Sequence, residues 1–238
     1  MQLDVRDLTA GYGNQPVLFN VSASFPAGSI TTIIGPNGAG KSPLFKALFG
    51  VARIFEGDVT LDGQALARVS AHELIRQGVA YVPEIANVFP SLSLRENLEI
   101  GTYVRPGGSI ERVISLFSDL GAVMRKPAGK LSGGQRNMLA VGRALMSNPQ
   151  VLLLDEATAG LSPALASNLW RHLVQVARDG VAVAVVEQNV RLALQFSNEV
   201  YLLGSGRNRL HGSAAEFNKR QDLDQLFLEA AVSVDARS

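Results

Sequence analysis

Eight consecutive residues, Gly35-Pro36-Asn37-Gly38-Ala39-Gly40-Lys41-Ser42, carry the first chemistry legible in the chain. They fit the pattern G-x-x-x-x-G-K-S, in which glycines let the backbone curl into a nest of N–H groups that faces phosphate oxygens. Lys41 offers a positive charge to those oxygens, and the Ser42 hydroxyl is a hard donor of the kind Mg²⁺ takes. Asp155 and Glu156 form a second group, two adjacent carboxylates at the end of the apolar run Val151-Leu152-Leu153-Leu154. One can hold a metal shell while the other orients or deprotonates a water. Strands often end in acids, so this pair acquires meaning only beside a phosphate loop. The third group is Leu131-Ser132-Gly133-Gly134-Gln135. A hydroxyl and bare glycine amides at a helix start make another anion-binding end, although the same residues would also serve as a plain capped helix.

Elements to position these groups are readable around them. Ile30-Thr31-Thr32-Ile33-Ile34 is short, β-branched and nearly continuous, as a buried central strand requires, and the Leu44-Phe45-Ala47-Leu48 spacing predicts a helix after the phosphate loop. Strands are expected over 3–10, 17–25, 29–34, 58–62, 151–154 and 182–186, with a turn at Asp62-Gly63. Ser162 as cap and Pro163 at the first position open a helix that places Leu165, Leu169, Leu173 and Val176 on one face. From Leu94 to Met146 the chain reads as mainly helical. It is opened by the capping box Ser93-Leu94-Arg95-Glu96 and broken at Gly107-Gly108 and between Gly121 and Gly129. Strands alternating with helices predict an α/β fold with a mostly parallel sheet covered on both faces.

Bulk properties narrow the function classes. At 238 residues and 47% hydrophobic content the chain has the size of one α/β domain with a buried core, spanning 1–238. Lys and Arg total 22 against 21 Asp and Glu; this balance gives no electrostatic footprint for nucleic acid, and none is expected as a partner. The absence of cysteine excludes disulfides, thiol catalysis and Cys-ligated metal sites. The N-terminal residues have neither the basic start nor the apolar core of a secretory signal, and no run approaches ~20 apolar residues, so membrane association is expected only through a partner. Gly11-Tyr12-Gly13 lacks the last glycine of a dinucleotide fingerprint, and His72, His172 and His211 are scattered without ligand spacing. The three histidines and Trp170 read as surface or packing residues.

In the order phosphate loop, Leu131-Ser132-Gly133-Gly134-Gln135, acidic strand, the chain resembles the ABC ATPases over nearly its whole length, the middle motif matching their signature. The resemblance implies ATP and Mg²⁺ as cofactors, with Lys41, Glu156 and Gln188 catalytic. It assigns Gly35 to Ser42, Pro43 and residues 131–135 to nucleotide, and Ser42, Glu84 and Asp155 to the metal. By position Tyr12 matches the aromatic that stacks on adenine; otherwise it is local packing. The implied architecture adds an antiparallel β edge near the N-terminus and an inserted helical subdomain at about residues 85 to 147. Two such domains pack head to tail, so a second ATPase subunit, self or paralogue, is implied, together with membrane permease subunits and, indirectly, an extracytoplasmic binding protein. The implied location is the cytoplasmic face of a bacterial inner membrane. Val82-Pro83-Glu84 with Val88-Phe89-Pro90-Ser91-Leu92, Val186-Glu187-Gln188-Asn189 and Gly142 to Pro149 look most like the smaller ATPase of branched-chain amino acid importers. In that subfamily Glu84 and Gln188 stand where other relatives carry Gln and a γ-phosphate-sensing His.

The sequence also departs from the pattern. Pro43 occupies a position where relatives have Ser or Thr, so it brings neither N–H nor hydroxyl to the phosphates, and it disfavours helical geometry at Ser42. The alternative reading is that proline is tolerated in a first helical turn and is neutral for nucleotide binding. Ile85-Ala86-Asn87, Asn137 and Ala157 also replace the usual residues. Two other readings stay open: a soluble ABC ATPase outside transport, and a nucleotide-binding assembly subunit with weak catalysis because of Pro43.

Overall fold

In the computed structural model, which describes residues 1–66, 70–85 and 87–235, the strands assort into two sheets. In chain order they are β1 (Leu3–Tyr12), β2 (Gln15–Phe25), β3 (Ile30–Ile34), β4 (Arg53–Leu61), β5 (Gln64–Ala65), β6 (Val79–Val82), β7 (Val151–Asp155), β8 (Ala182–Val186), β9 (Glu199–Gly204) and β10 (Arg207–Ser213). The first sheet has the order β2-β1-β4-β5 and the second β10-β9-β3-β8-β7-β6. Every pairing in the first is antiparallel. In the second only β10 runs antiparallel to its neighbour, the other five strands being parallel. The antiparallel part near the N-terminus is therefore a sheet of its own.

Between and around the sheets lie α1 (Lys41–Leu48), α2 (Ala71–Arg76), α3 (Leu94–Ile100), α4 (Ile110–Leu116), α5 (Gly133–Leu145), α6 (Pro163–Arg178), α7 (Val190–Phe196), α8 (Ala214–Lys219) and α9 (Leu223–Asp235). The period-2 alternation of strand side chains divides the parallel sheet between two cores. Val151 and Leu153 of β7 face the first sheet and α1 with Leu44, Phe45 and Phe25. Leu152 and Leu154 face the opposite layer with Leu139, Leu169 and Trp170. This layering puts the C-terminal ends of β3, β7 and β8 side by side, with Ile33 paired to Val186 and Asp155 to Val186. Residues following those three strands are thereby brought together, the usual place for a ligand crevice in an open parallel sheet.

The middle third is broken as its glycines predict: α3 and α4 are separated by Gly107-Gly108, and two short 3₁₀ turns, Ser118–Val123 and Ala128–Lys130, precede α5. Ser93 and Glu96 form the expected capping box. Ser162 caps α6 with Pro163 at its start, and Leu169, Leu173 and Val176 are buried along it. β4 starts at Arg53 rather than residue 58, because Gly57, with φ 86°, keeps the strand paired through a bulge that lies between the Arg6–Asp58 and Thr9–Glu56 pairs. No described helix is long and apolar enough to cross a membrane.

Candidate nucleotide and metal site

The phosphate loop is built by a strand that stops and a helix that starts without a side-chain cap. β3 ends at Ile34, Gly40 caps α1 at φ 103°, and no side chain caps that end. The first N–H groups of α1 are thus left facing the loop, where an anion would complete them. Gly35 has φ 153°, and a Cβ there would run into the Leu203 carbonyl oxygen, so the loop requires glycine at this point. Lys41 is buried, and its Nζ donates to the carbonyls of Gly35 and Pro36 at 2.9 and 3.0 Å. Burial pulls its ammonium below the ordinary pKa, while the nearby carboxylates of Glu156, Asp155, Glu187 and Glu84 pull it back up.

Pro43 does not unwind the helix start. It lies at the third position of α1, Ser42 is helical, and the first helical bond runs from the Leu44 N–H to the Gly40 carbonyl at 3.0 Å. Ser42 takes helical geometry although a residue before proline favours an extended one, and a proline in the first turn displaces no intrahelical donor. Ser42 Oγ donates to Asp155 Oδ1 at 2.9 Å, which joins the phosphate loop to the acidic strand. The other oxygen, Oδ2, accepts from the Tyr81 hydroxyl at 3.1 Å. Burial pushes the Asp155 carboxyl above its usual range, and the two hydrogen bonds oppose that rise.

Glu156 follows in a left-handed conformation, φ 51°, with its N–H bonded to the Val186 carbonyl at 3.0 Å. Such geometry in a non-glycine residue is costly and turns the side chain out of the strand line. Its Oε2 accepts from Gln188 Nε2 at 2.6 Å, so the two candidates from separate strand ends form one pair. Glu84 shares a cleft with Glu156, Thr158 and Gln188. Glu187, buried beside Gln188, accepts from the Thr158 hydroxyl. Burial pushes its carboxyl up, opposed by the Thr158 hydroxyl and the Gln188 N–H. Asn137 Nδ2 donates to the Ala157 carbonyl at 2.7 Å, so two of the unusual residues meet in one bond between α5 and the segment after Glu156.

Lys41, Ser42, Glu84, Asp155, Glu156 and Gln188 are thus gathered at one place. Tyr12, half-exposed at the end of β1, lies 6.0 Å by its ring centroid from the Lys46 ammonium on α1. The 131–135 segment stands apart: no hydrogen bond among the described residues joins it to the phosphate loop. Ser132 and Gly133 are exposed, and Ser132 with Gln135 makes a reciprocal capping box at the start of α5. Ile85 and Asn87 follow Glu84, and Ala86 between them lies outside the described residues. His72 is exposed on α2, and the other two histidines and Trp170 make packing contacts. His172 packs edge-on against Phe117, and His211 pairs with Glu199 and stacks on Tyr201. Trp170 is fully buried and stacks on Phe196.

Tyr81, Thr158 and Glu187 were not predicted to belong to the site. Glu187 lies next to Gln188 in a quoted motif, so its adjacency was a usable signal; Tyr81 carries none, since only the pairing of β6 with β7 brings it to Asp155.

A phosphate loop after β3, an acid pair after β7 and a polar side chain after β8, in one crevice, define a phosphate-loop nucleotide hydrolase. Comparison with known proteins makes the class specific. The family model described as "ABC transporter" matches residues 18–159. A probable branched-chain amino acid transport ATP-binding protein, LivF, of Archaeoglobus fulgidus is 39% identical over 92% of this chain and 95% of its own length. The high-affinity branched-chain amino acid transport ATP-binding protein BraG of Pseudomonas aeruginosa is 38% identical over 86% of this chain and 89% of its own. A crystal structure of a nucleotide-free ATP-binding cassette from an ABC transporter superposes with TM-score 0.84 at 25% identity, covering 95% of this chain and 99% of that one. The chain belongs to the ABC transporter family, as an ATP-hydrolysing subunit.

Proposed function

We propose that this chain hydrolyses ATP to power import of branched-chain amino acids or close relatives through a membrane permease. The observation that carries the reading is the contact chain Ser42–Asp155 and Glu156–Gln188 around the phosphate loop, in a chain 38–39% identical to two branched-chain amino acid transport subunits. Gly35 to Pro43 cradle the phosphates, Lys41 exchanges its carbonyl contacts for β- and γ-phosphate oxygens, and Tyr12 takes the adenine face. Ser42 and Asp155 fit Mg²⁺: they are hard oxygen donors already 2.9 Å apart, few in number as a cation completed by phosphate and water requires, with Glu84 in the same cleft. When bound, Mg²⁺ supplies charge neutralisation for the phosphates. Glu156 receives the proton of the water that adds to the γ-phosphorus as the bond to ADP breaks, and Gln188 holds Glu156 in line for that transfer.

The exposed Ser132-Gly133 end of α5 serves the phosphates of a second copy or a paralogue, which makes the working unit a dimer with ATP between the phosphate loop of one subunit and residues 131–135 of the other. Subunit docking on the membrane partner is supported by exposed apolar side chains at residues 84–90, where Ile85 is 76% and Phe89 46% exposed and Phe89 shares a groove with Ile100. The helical portion at about 85–147 works as a subdomain that moves with that partner, at the cytoplasmic face of the inner membrane, the binding protein acting on the far side. Uptake of labelled leucine, isoleucine and valine by cells in which Glu156→Gln replaces the native chain tests the reading. Loss of that uptake is expected; unimpaired uptake refutes the cargo assignment.

A further inference from the structure

One groove lies between the parallel sheet and the helical part of the chain, and Phe49, Tyr81, Phe89, Ile100, Val104 and Arg143 contribute to its walls. Tyr81 belongs to two environments at once. Its ring forms part of the groove wall and packs on Phe49 with centroids 5.2 Å apart, while its hydroxyl donates to Asp155 Oδ2. The other oxygen of Asp155 is held by Ser42. Both oxygens of the carboxylate are therefore held by donors from different elements, β6 and α1, and together these donors fix its plane. Phe49 caps the C-terminal end of α1, the helix whose first turn carries Ser42. A 3.1 Å bond is lost once the hydroxyl retreats by about half an ångström, so a small displacement of the ring is enough to release one oxygen of Asp155.

We propose that Tyr81 is a positioning residue that sets the orientation of Asp155 for metal binding according to how the groove is packed. The inference rests on the reading of Asp155 as a metal-holding residue given above, and it makes one side chain the physical link between the groove and the site. Such a link calls for coupling evidence beyond proximity. ATP binding to the purified chain is titrated calorimetrically across a series of Mg²⁺ concentrations for the wild type, Tyr81→Phe, Phe49→Ala and the double variant. Tyr81→Phe keeps the ring and removes only the hydroxyl. It should raise the Mg²⁺ concentration for half-maximal enhancement of ATP affinity about tenfold, the size of one hydrogen bond to a charged group. ATP affinity without Mg²⁺ should stay within about twofold of wild type, since no phosphate contact changes.

Phe49→Ala should shift the Mg²⁺ requirement about threefold in the same direction, a partial loss of the same bond, and should add nothing in the Tyr81→Phe background. If Phe49→Ala is too unstable to titrate, Phe49→Leu replaces it in the cycle. A Mg²⁺ requirement unchanged in Tyr81→Phe overturns the proposal. Equal effects of the Phe49 variant with and without the Tyr81 hydroxyl overturn it as well. A wild-type chain that binds no ATP would instead overturn the functional reading on which it rests.

Discussion

Pro43→Thr is expected to tighten Mg-ATP binding, and the structure limits how the effect arises. Gly40 caps α1 with φ 103° and contributes no side chain, so Lys41, Ser42 and Pro43 occupy the three positions whose N–H groups have no partner within the helix. Proline removes one of those three donors from the end of the helix where phosphate is bound. It costs nothing else visible: Ser42 keeps helical geometry and its 2.9 Å bond to Asp155. Threonine would restore an N–H and add a hydroxyl. One hydrogen bond to a charged group contributes about 1.5 to 3 kcal/mol, or roughly ten- to a hundredfold in dissociation constant. The same substitution frees the unfolded chain and should lower stability by about 0.4 to 1 kcal/mol, so a slightly lower melting temperature should accompany the tighter binding. Calorimetric titration of both proteins with Mg-ATP measures the first effect and thermal unfolding the second. A dissociation constant within twofold of wild type would mean that the third amide of α1 never reaches phosphate, and the reasoning would fail.

Gln188→Ala removes the amide that holds Glu156, so kcat should fall by roughly ten- to a hundredfold with KM for ATP little changed, measured by steady-state phosphate release; an effect confined to KM would place Gln188 in ground-state binding instead. Glu187 is pushed above its ordinary value of 4.5 by burial, so its folded pKa exceeds the unfolded one. The stability it contributes is present below about 4.5 and is lost as pH rises through the folded value. Glu187→Gln removes that loss while keeping an oxygen for the Thr158 hydroxyl. Its melting temperature relative to wild type should therefore climb between pH 4 and pH 8, and a difference that stays flat or declines would contradict the assignment of burial as the dominant cause.

What the sequence disclosed and what it withheld divide along physical lines. Groups defined by contiguous residues were legible: the phosphate loop, the acid pair after Val151–Leu154, the capped starts at Ser93 and Ser162, and the interruptions at Gly107-Gly108. The continuous apolar runs of β7 and β8 were legible too, because both faces of a parallel strand are buried. β6, only four residues long and directly after Gly78, and the polar, alternating β10 give short or weak signals, and their strand state is set by pairing across the sheet. The same cause hid Tyr81, whose role exists only because β6 lies beside β7. Pro43 was readable as an anomaly but not in its consequence. Local rules set its effect on Ser42 against the tolerance of a first helical turn, and the observed helix start decides between them. Asn137 and Ala157 looked like two separate departures, yet they share one hydrogen bond across 20 residues.

Phosphate release by the purified chain at saturating Mg-ATP, compared between wild type and Glu156→Gln, with ATP affinity measured on both, tests the central claim most directly. Mg²⁺-dependent release by the wild type is predicted, falling about a hundredfold or more in Glu156→Gln with ATP affinity retained, since the variant loses the proton acceptor and no phosphate contact. Equal turnover in the two proteins, or a wild type that binds ATP and releases no phosphate, would contradict the account.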